Sequence, residues 1–268
     1  GDTDASDADA RDADASEVDV DISEPRACGE VETYLGQTFV MTPPNGGTPV
    51  FVESRGEIGY PVGGLNAVIN AAPTGAEGDR DPVAVEFHVS DMTVIGTDFF
   101  SDSVLIPRNR TTFWVADANN RMEVRLFRDD LAEGEYPDFE LSVGQRISFD
   151  VEEVGQFFGT RQITRASGFT LLEENSAVYV LERTGVDITV DDVGELVRVT
   201  GELAGVGVSC GGSHRCWELH HGGTSPTEFR TTQGGFAAGQ CVTFMGIVGQ
   251  FEWAPQLTSV NFAWTYRH

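Results

Sequence analysis

The densest group of reactive side chains lies in residues 209–221, where Ser209, Cys210, His214, Cys216, His220 and His221 crowd together. Three chemistries fit these types. Gly207-Val208-Ser209-Cys210-Gly211 matches the G-x-S-x-G pattern of a hydrolase nucleophile. That motif works only where a strand turns sharply into a helix and exposes the serine. The stretch that follows, GGSHRCWELHHGG, reads as a loop and a strand, so catalysis is not expected there. Two thiolates and two imidazoles could hold zinc. Adjacent His220 and His221 would diverge on a strand, however, and the spacing fits no common finger, so no metal ligand is assigned. The third chemistry is a disulfide across a hairpin. Cys28, Cys210, Cys216 and Cys241 allow three pairings, and Cys210–Cys216 with Cys28–Cys241 is favoured. Reduced, buried thiols in a cytosolic chain remain the alternative. The acidic pairs Asp129-Asp130, Glu152-Glu153, Glu173-Glu174 and Asp191-Asp192 are what so acidic a chain yields by chance, so no carboxylate dyad is assigned.

The elements that would position such groups are strands. Period-2 alternation runs through VAVEFHVSDMTVIG (83–96), TTFWVADANNRMEVRLF (111–127), GQRISFDVEEV (144–154) and TRQITRASGFTLL (160–172). It resumes in LVRVTGELAGVGV (196–208), RCWELHH (215–221), TEFRTT (227–232), QCVTFMGIVG (240–249) and PQLTSVNFAWTY (255–266). GQTFVM (36–41) and TPVFVES (48–54) flank the turn signal PPNGG, and only SEVDV and ITVDDVGEL hint at helix.

Residues 144–164, GQRISFDVEEVGQFFGTRQIT, nearly repeat as 239–258, GQCVTFMGIVGQFEWAPQLT, at an offset of 95 falling to 94. One supersecondary unit is therefore used twice. Each copy reads as a long bent strand, a strand with a Trp, a short strand, Gly-Gln plus a strand, a VGQF turn and a last strand. That order predicts an all-β fold of two tandem five-stranded OB-fold-like Greek-key barrels after an acidic N-terminal tail. Gly-Gln should open strand four, with Phe149 and Phe244 in equivalent core positions. The expected divisions are 1–27 for the tail, 28–180 for an N-terminal extension plus the first barrel (core 82–175), and 181–268 for the second barrel.

OB-folds bind ligands on the face of their second and third strands. Trp114 with Arg125, and Trp217 with Arg230, are the ligand-binding candidates, since rings there can stack on bases or sugars. The competing structural role is for the tryptophans to close barrel ends or pack between domains.

The chain carries 43 acids and 17 bases, a net charge of −26. No lysine occurs, so every base is arginine. Residues 1–24, GDTDASDADARDADASEVDVDISE, hold ten acids and one base, which still leaves the rest at −17. An acidic body argues against a nucleic-acid partner, because phosphate binding needs clustered cations. The tail has too little apolar surface to order itself and reads as a solvated tether. Its alternating Asp could hold calcium, the one cofactor considered, although it lacks a glycine for a tight loop and a fixed bidentate Glu.

The run TTFWVADANNRMEVRLF followed by LSVGQRISFDVEEVGQFFGTRQIT resembles OB-fold domains of secreted and surface-lipoprotein bacterial proteins, over 82–172 well and 196–262 more loosely. The tail is similar to the spacer after a lipidated cysteine, and the opening Gly suggests a processed or trimmed form. The resemblance implies an exported, outer-membrane-anchored or extracellular protein, attached through a lipid anchor preceding residue 1. It would be a non-enzymatic binding or structural module, with a protein or carbohydrate surface as partner. The alternatives are a subunit of a filament or adhesin whose tail is ordered by calcium or a neighbour, and, least favoured, a hydrolase at 207–221.

Overall fold

The structure is a computed structural model that describes residues 28, 50–54, 58–75, 82–97, 110–127, 137–139, 141–211, 214–232, 234–259 and 265–267. Strand β1 spans Val50–Ser54, helix α1 Leu65–Ala71, β2 Val83–Thr97, β3 Arg110–Ala116, β4 Arg121–Phe127, β5 Arg146–Phe157, β6 Thr160–Glu173 and β7 Ala177–Glu182. A 3-10 turn at Val190–Asp192 precedes β8 Leu196–Ser209, β9 Arg215–His220, β10 Thr227–Thr231, β11 Cys241–Phe251, β12 Ala254–Ser259 and β13 Thr265–Arg267.

Strands β2-β3-β4-β6-β5 close into a barrel. Strands β8-β9-β10-β12-β11 follow the same order, and pairing of β8 with β11 closes the second barrel. In each, strand three runs parallel to strand five (β4 with β6, β10 with β12), while the other pairings are antiparallel. This is the five-stranded Greek-key order of the OB-fold, reached twice. The tail and the strand candidate 36–41 lie outside the described residues, and with them the tether and calcium expectations.

Each barrel needs its first strand bent so that it can pair on both sides. Both bends are fastened by the same device. Gly144 and Gly239 sit at φ 91° and 76°, a region open to glycine. The Gly144 N–H donates to Val94 O and the Val94 N–H to Gln145 O, both at 2.8 Å. In the second barrel Gly239 N–H donates to Leu203 O at 2.8 Å and Leu203 N–H to Gln240 O at 2.9 Å. The glutamine side chains complete the corner, Gln145 Oε1 accepting from Ser142 N at 2.8 Å and Gln240 Oε1 from Ala237 N at 3.3 Å. The repeat thus encodes the corner that ties strand four to the bend of strand one. Phe149 and Phe244 follow five residues after each glycine and are fully buried in their respective cores.

The segment before β2 is shared between the barrels. Residues 58–64 run onto the first barrel, with Ser90 N–H donating to Gly63 O at 3.2 Å and Ala118 N–H to Pro61 O at 2.8 Å. Helix α1 buries Leu65 and Val68 in the first barrel's core, and its first N–H is satisfied by Asp117 Oδ2 at 3.0 Å. Strand β1 instead pairs with β7, which pairs with β8 of the second barrel. Arg198 on β8 locks this arrangement through Glu53 of β1 at 2.6 Å and Glu182 of β7 at 2.8 Å. The sequence pattern missed α1, a seven-residue helix too short to show a helical period, and missed β7.

The disulfides are Cys28–Cys241 and Cys210–Cys216. The first fixes Cys28 to the start of β11. The second closes the turn between β9 and the end of β8, so both thiolates that zinc would require are already bonded to each other. Ser209 ends β8 and leads into that turn rather than into a helix, so no nucleophile elbow forms. His221 is buried at 3 % exposure with Nε2 3.0 Å from Thr227 Oγ1, whereas His220 points outward.

Two outcomes follow from this packing. Phe149→Ala and Phe244→Ala should each cost about 3–5 kcal/mol in urea unfolding, by lost burial and the cavity left behind; a cost under about 1 kcal/mol at either site would refute the equivalence of the two positions. Burial holds the His221 imidazole below its ordinary value of 6.5. The fold therefore favours the neutral ring, and its stabilisation is present above that value and lost as pH falls through the lowered one. Tm should drop on acidification from about pH 7 to about pH 5, less steeply in His221→Gln. An equal drop in both proteins would mean that His221 is not the group responsible.

Candidate functional site: a cleft between the barrels

The barrels are held together by an apolar layer drawn from both and from the shared segment. Tyr60, Ile95, Val143, Val180, Leu196 and Met245 are buried in it, with Trp114 and Ile247 packed alongside. Gly96 allows the approach: a Cβ there would lie 2.7 Å from Ile247 Cγ1. The Tyr60 hydroxyl accepts a hydrogen bond from Tyr179 N at 2.8 Å, and burial pushes its pKa upward.

At one edge of this layer the two repeated hairpins meet. Phe158, in the turn after the first VGQF, lies 4.7 Å from Phe251 of the second, ring centre to ring centre. Thr160 Oγ1 donates to Gln250 O at 3.4 Å. Gly159, at φ 89°, leaves room for the Gln250 amide and the Trp253 ring, which a Cβ would meet at 2.7 and 3.3 Å. The turn residues Phe158, Glu252 and Trp253 all adopt positive φ. Such backbone is costly for non-glycine residues and persists where the surroundings over-determine it.

Below the hairpins opens a cleft of about 580 Å³. Its floor is β3–β4 of the first barrel, the OB-fold's customary ligand face. Its far wall is β11 and β12 of the second barrel, and the 190–194 turn closes one end. Arg121, Arg125, Arg161 and Arg230 line it, with the rings of Trp114, Phe157, Phe251 and Trp253. Trp253 is half-exposed, and the Arg125 guanidinium lies over the Phe157 ring at 5.4 Å.

The four arginines are not equally committed. Arg121 is structural: its side chain is 4 % exposed, Nε donates to Glu195 Oε2 at 2.9 Å, and NH1 donates to the carbonyls of Asp117 and Asn120. It also lies over the Tyr60 ring at 5.0 Å. Burial raises the Glu195 pKa, against the opposing pull of Arg121. Arg125 reaches Glu123 only at 3.7 Å. Arg161 and Arg230 have no carboxylate partner among the described residues, and Arg230 NH2 lies 3.4 Å from His214 Nδ1. Burial, and then the charge of Arg230, hold the His214 ring below its ordinary pKa. The Arg125 Nε, Arg230 Nε, Thr97 Oγ1 and Thr112 Oγ1 are buried with no hydrogen-bond partner among the described residues, and all four residues line the cleft. Such orphaned groups at a cavity wall suit a ligand carrying acceptors.

Of the residues singled out from sequence, Trp114, Arg125 and Arg230 come together here, from two different barrels. Trp217 does not join them. It is buried in the second core against Gly207, where a Cβ would lie 2.4 Å from its ring. Arg121, Arg161, Phe157 and Trp253 were missed; the VGQF repeats, each leading into a tight turn with an aromatic, were the available signal.

No family model matches the chain, and no curated protein matches it. Among solved structures, similarity is found to the tetrameric p202 HIN2, at 14% identity and TM-score 0.32 over 73% of this chain and 98% of that one. The Ifi202 HINa domain, solved in complex with a 20-bp dsDNA, matches at 11% identity and TM-score 0.32 over 70% of this chain and 97% of that one. The p202 HIN1 domain, solved with a 12-mer dsDNA, matches at 12% identity and TM-score 0.33 over 71% and 96%. Strand order, not these distant likenesses, establishes the architecture.

Several expectations are corrected. The resemblance to bacterial surface-lipoprotein modules is withdrawn: no family model and no curated protein matches the chain, and the similar solved structures are HIN domains. With it go the exported, surface-anchored localisation and the reading as a surface module or adhesin subunit, which rested on the resemblance and on tail composition. The exclusion of a nucleic-acid partner is withdrawn as well, because it rested on net charge alone. Its physical error was to average charge over the chain, when arginines from two barrels converge on one cleft.

Arg121 and Glu195 should behave as a buried pair. Arg121→Met alone should cost about 3 kcal/mol in urea unfolding, by stranding the carboxylate, and Arg121→Met/Glu195→Met should recover most of it. Additive costs in the double variant would show that the pair does not couple the barrels.

Proposed function

We propose that this protein is a non-enzymatic nucleic-acid-binding module that holds a short single-stranded segment in the cleft between its barrels. One observation carries the reading: in a chain of net charge −26, Arg125, Arg161 and Arg230, against the one lining acid Glu123, share a single cleft with the rings of Trp114, Phe157, Phe251 and Trp253 on the strand face that OB-folds use. Guanidinium groups pair with phosphate oxygens through two parallel hydrogen bonds. Rings stack on bases of any identity. The unpartnered Arg125 Nε, Arg230 Nε and Thr112 Oγ1 supply donors to whatever acceptors enter. A cleft of this volume is in the range of small-ligand sites, so it would take a few atoms of backbone and a base rather than the flank of a duplex.

The acidic exterior limits the footprint to the cleft. Few phosphates should be neutralised, and the affinity should depend only moderately on salt. For two to four phosphates at about −0.7 each, log K should fall with log salt at a slope of about −1.4 to −2.8. The check is fluorescence anisotropy with a labelled single-stranded oligonucleotide and its duplex. Binding of the single strand is expected, weakened about tenfold or more by Arg161→Gln/Arg230→Gln. No binding at low salt, or binding indifferent to these replacements, would overturn the proposal.

A further inference from the structure

Three features bear on where the acidic N-terminal segment can reach. Residues 1–24 carry ten carboxylates and one arginine. The Cys28–Cys241 disulfide fastens the end of that segment to the first residue of β11. Strand β11 then runs directly into the cleft, whose wall includes Phe244 to Phe251. We propose that residues 1–24 are an intramolecular occupant of the cleft, a polyanion that competes with nucleic acid for Arg125, Arg161 and Arg230. The competitive part rests on the nucleic-acid reading above; the docking itself does not.

Distance permits it. At about 3.3 Å per residue, the lining part of β11 lies roughly 10–33 Å from Cys241 along the strand. The 27 residues before Cys28 can span up to about 90 Å. Glu24, Asp21 and Asp19 are the acids nearest the anchor and come within reach first. Spacing favours it as well. Asp7 and Asp9, Asp12 and Asp14, and Asp19 and Asp21 are each two residues apart. In an extended chain such pairs share one side, about 6.7 Å apart, and form a row of negative charge. Charge selects the location. The remainder of the chain is net −17, so most of its surface repels this segment. The cleft offers Arg161 and Arg230 without carboxylate partners among the described residues, and Arg125 only loosely paired. A tether of this length holds the segment at an effective concentration in the millimolar range, so weak contacts suffice.

The test compares the full chain with a variant in which the ten tail acids become Asn or Gln, a change that leaves every residue of the barrels intact. Two readings are taken at low salt: the Nε–H NMR signals of Arg125, Arg161 and Arg230, and the affinity for a labelled single-stranded oligonucleotide. The expected result is that the arginine signals differ between the two chains independently of protein concentration. The amide variant should also bind the oligonucleotide about tenfold more tightly, a gap that closes as salt screens the tail. Unchanged arginine signals would overturn the inference even if both chains bind oligonucleotide equally. Signals that shift only with rising protein concentration would also overturn it, by assigning the tail to a second copy. Shifted signals with no oligonucleotide binding by either chain would retain the docked tail and reject the nucleic-acid reading.

Discussion

The apolar layer between the barrels is the constraint on which the rest depends. Tyr60, Ile95, Leu196 and Met245 are removed from water there, and none of them belongs to a barrel interior. Burying such side chains contributes about 1.5–3 kcal/mol each, enough to fix two barrels that share few hydrogen bonds. Without that layer β3–β4 of the first barrel would face solvent, as in a lone OB-fold. With it, the same face becomes the floor of a cleft walled by β11. Arg121 brings a charge to the layer, and its pairing with Glu195 and two carbonyls satisfies most of its donors.

The repeated sequence serves two levels of structure. Its Gly-Gln element closes each barrel, by bonding the strand-four corner to the bend of strand one. Its VGQF element ends in a hairpin, and the two hairpins pack on each other through Phe158 and Phe251. Duplication of a unit that shapes its own barrel therefore also supplied the contact between barrels. Where the copies differ, they differ in turn chemistry. Phe158-Gly159 gives a small turn with room for a neighbour, and Glu252-Trp253 places a half-exposed ring at the mouth of the cleft.

Electrostatics in this molecule cannot be summarised by net charge. Low-dielectric walls and proximity make local charge matter more than the sum, and exposed charges farther than about 8–10 Å are largely screened in physiological salt. Arg125, Arg161 and Arg230, gathered in one cleft, can thus attract an anion although the chain is strongly acidic. The same acidity discourages a long phosphate footprint elsewhere on the surface.

The all-β class, the doubled unit and the two core phenylalanines were legible in the chain, because alternation and the Gly-Gln spacing are local signals with a fixed period. Trp114, Arg125 and Arg230 were also legible as residues of interest, since their strand positions follow from the repeat. Their convergence was not. It depends on how two barrels pack, and no local pattern encodes that. Trp217 shows the same limit from the other side: it pairs with Phe229 as Phe113 pairs with Val124, so it takes the core-facing position of Phe113 and not the outward one of Trp114. Helix α1 and strand β7 escaped notice because each is short and stabilised by a distant partner, Asp117 for one and β1 with β8 for the other. Alternation and Gly-Gln spacing specify two barrels and their framework. That the barrels share one arginine-lined cleft follows from their packing, because burial between them brings together side chains more than a hundred residues apart.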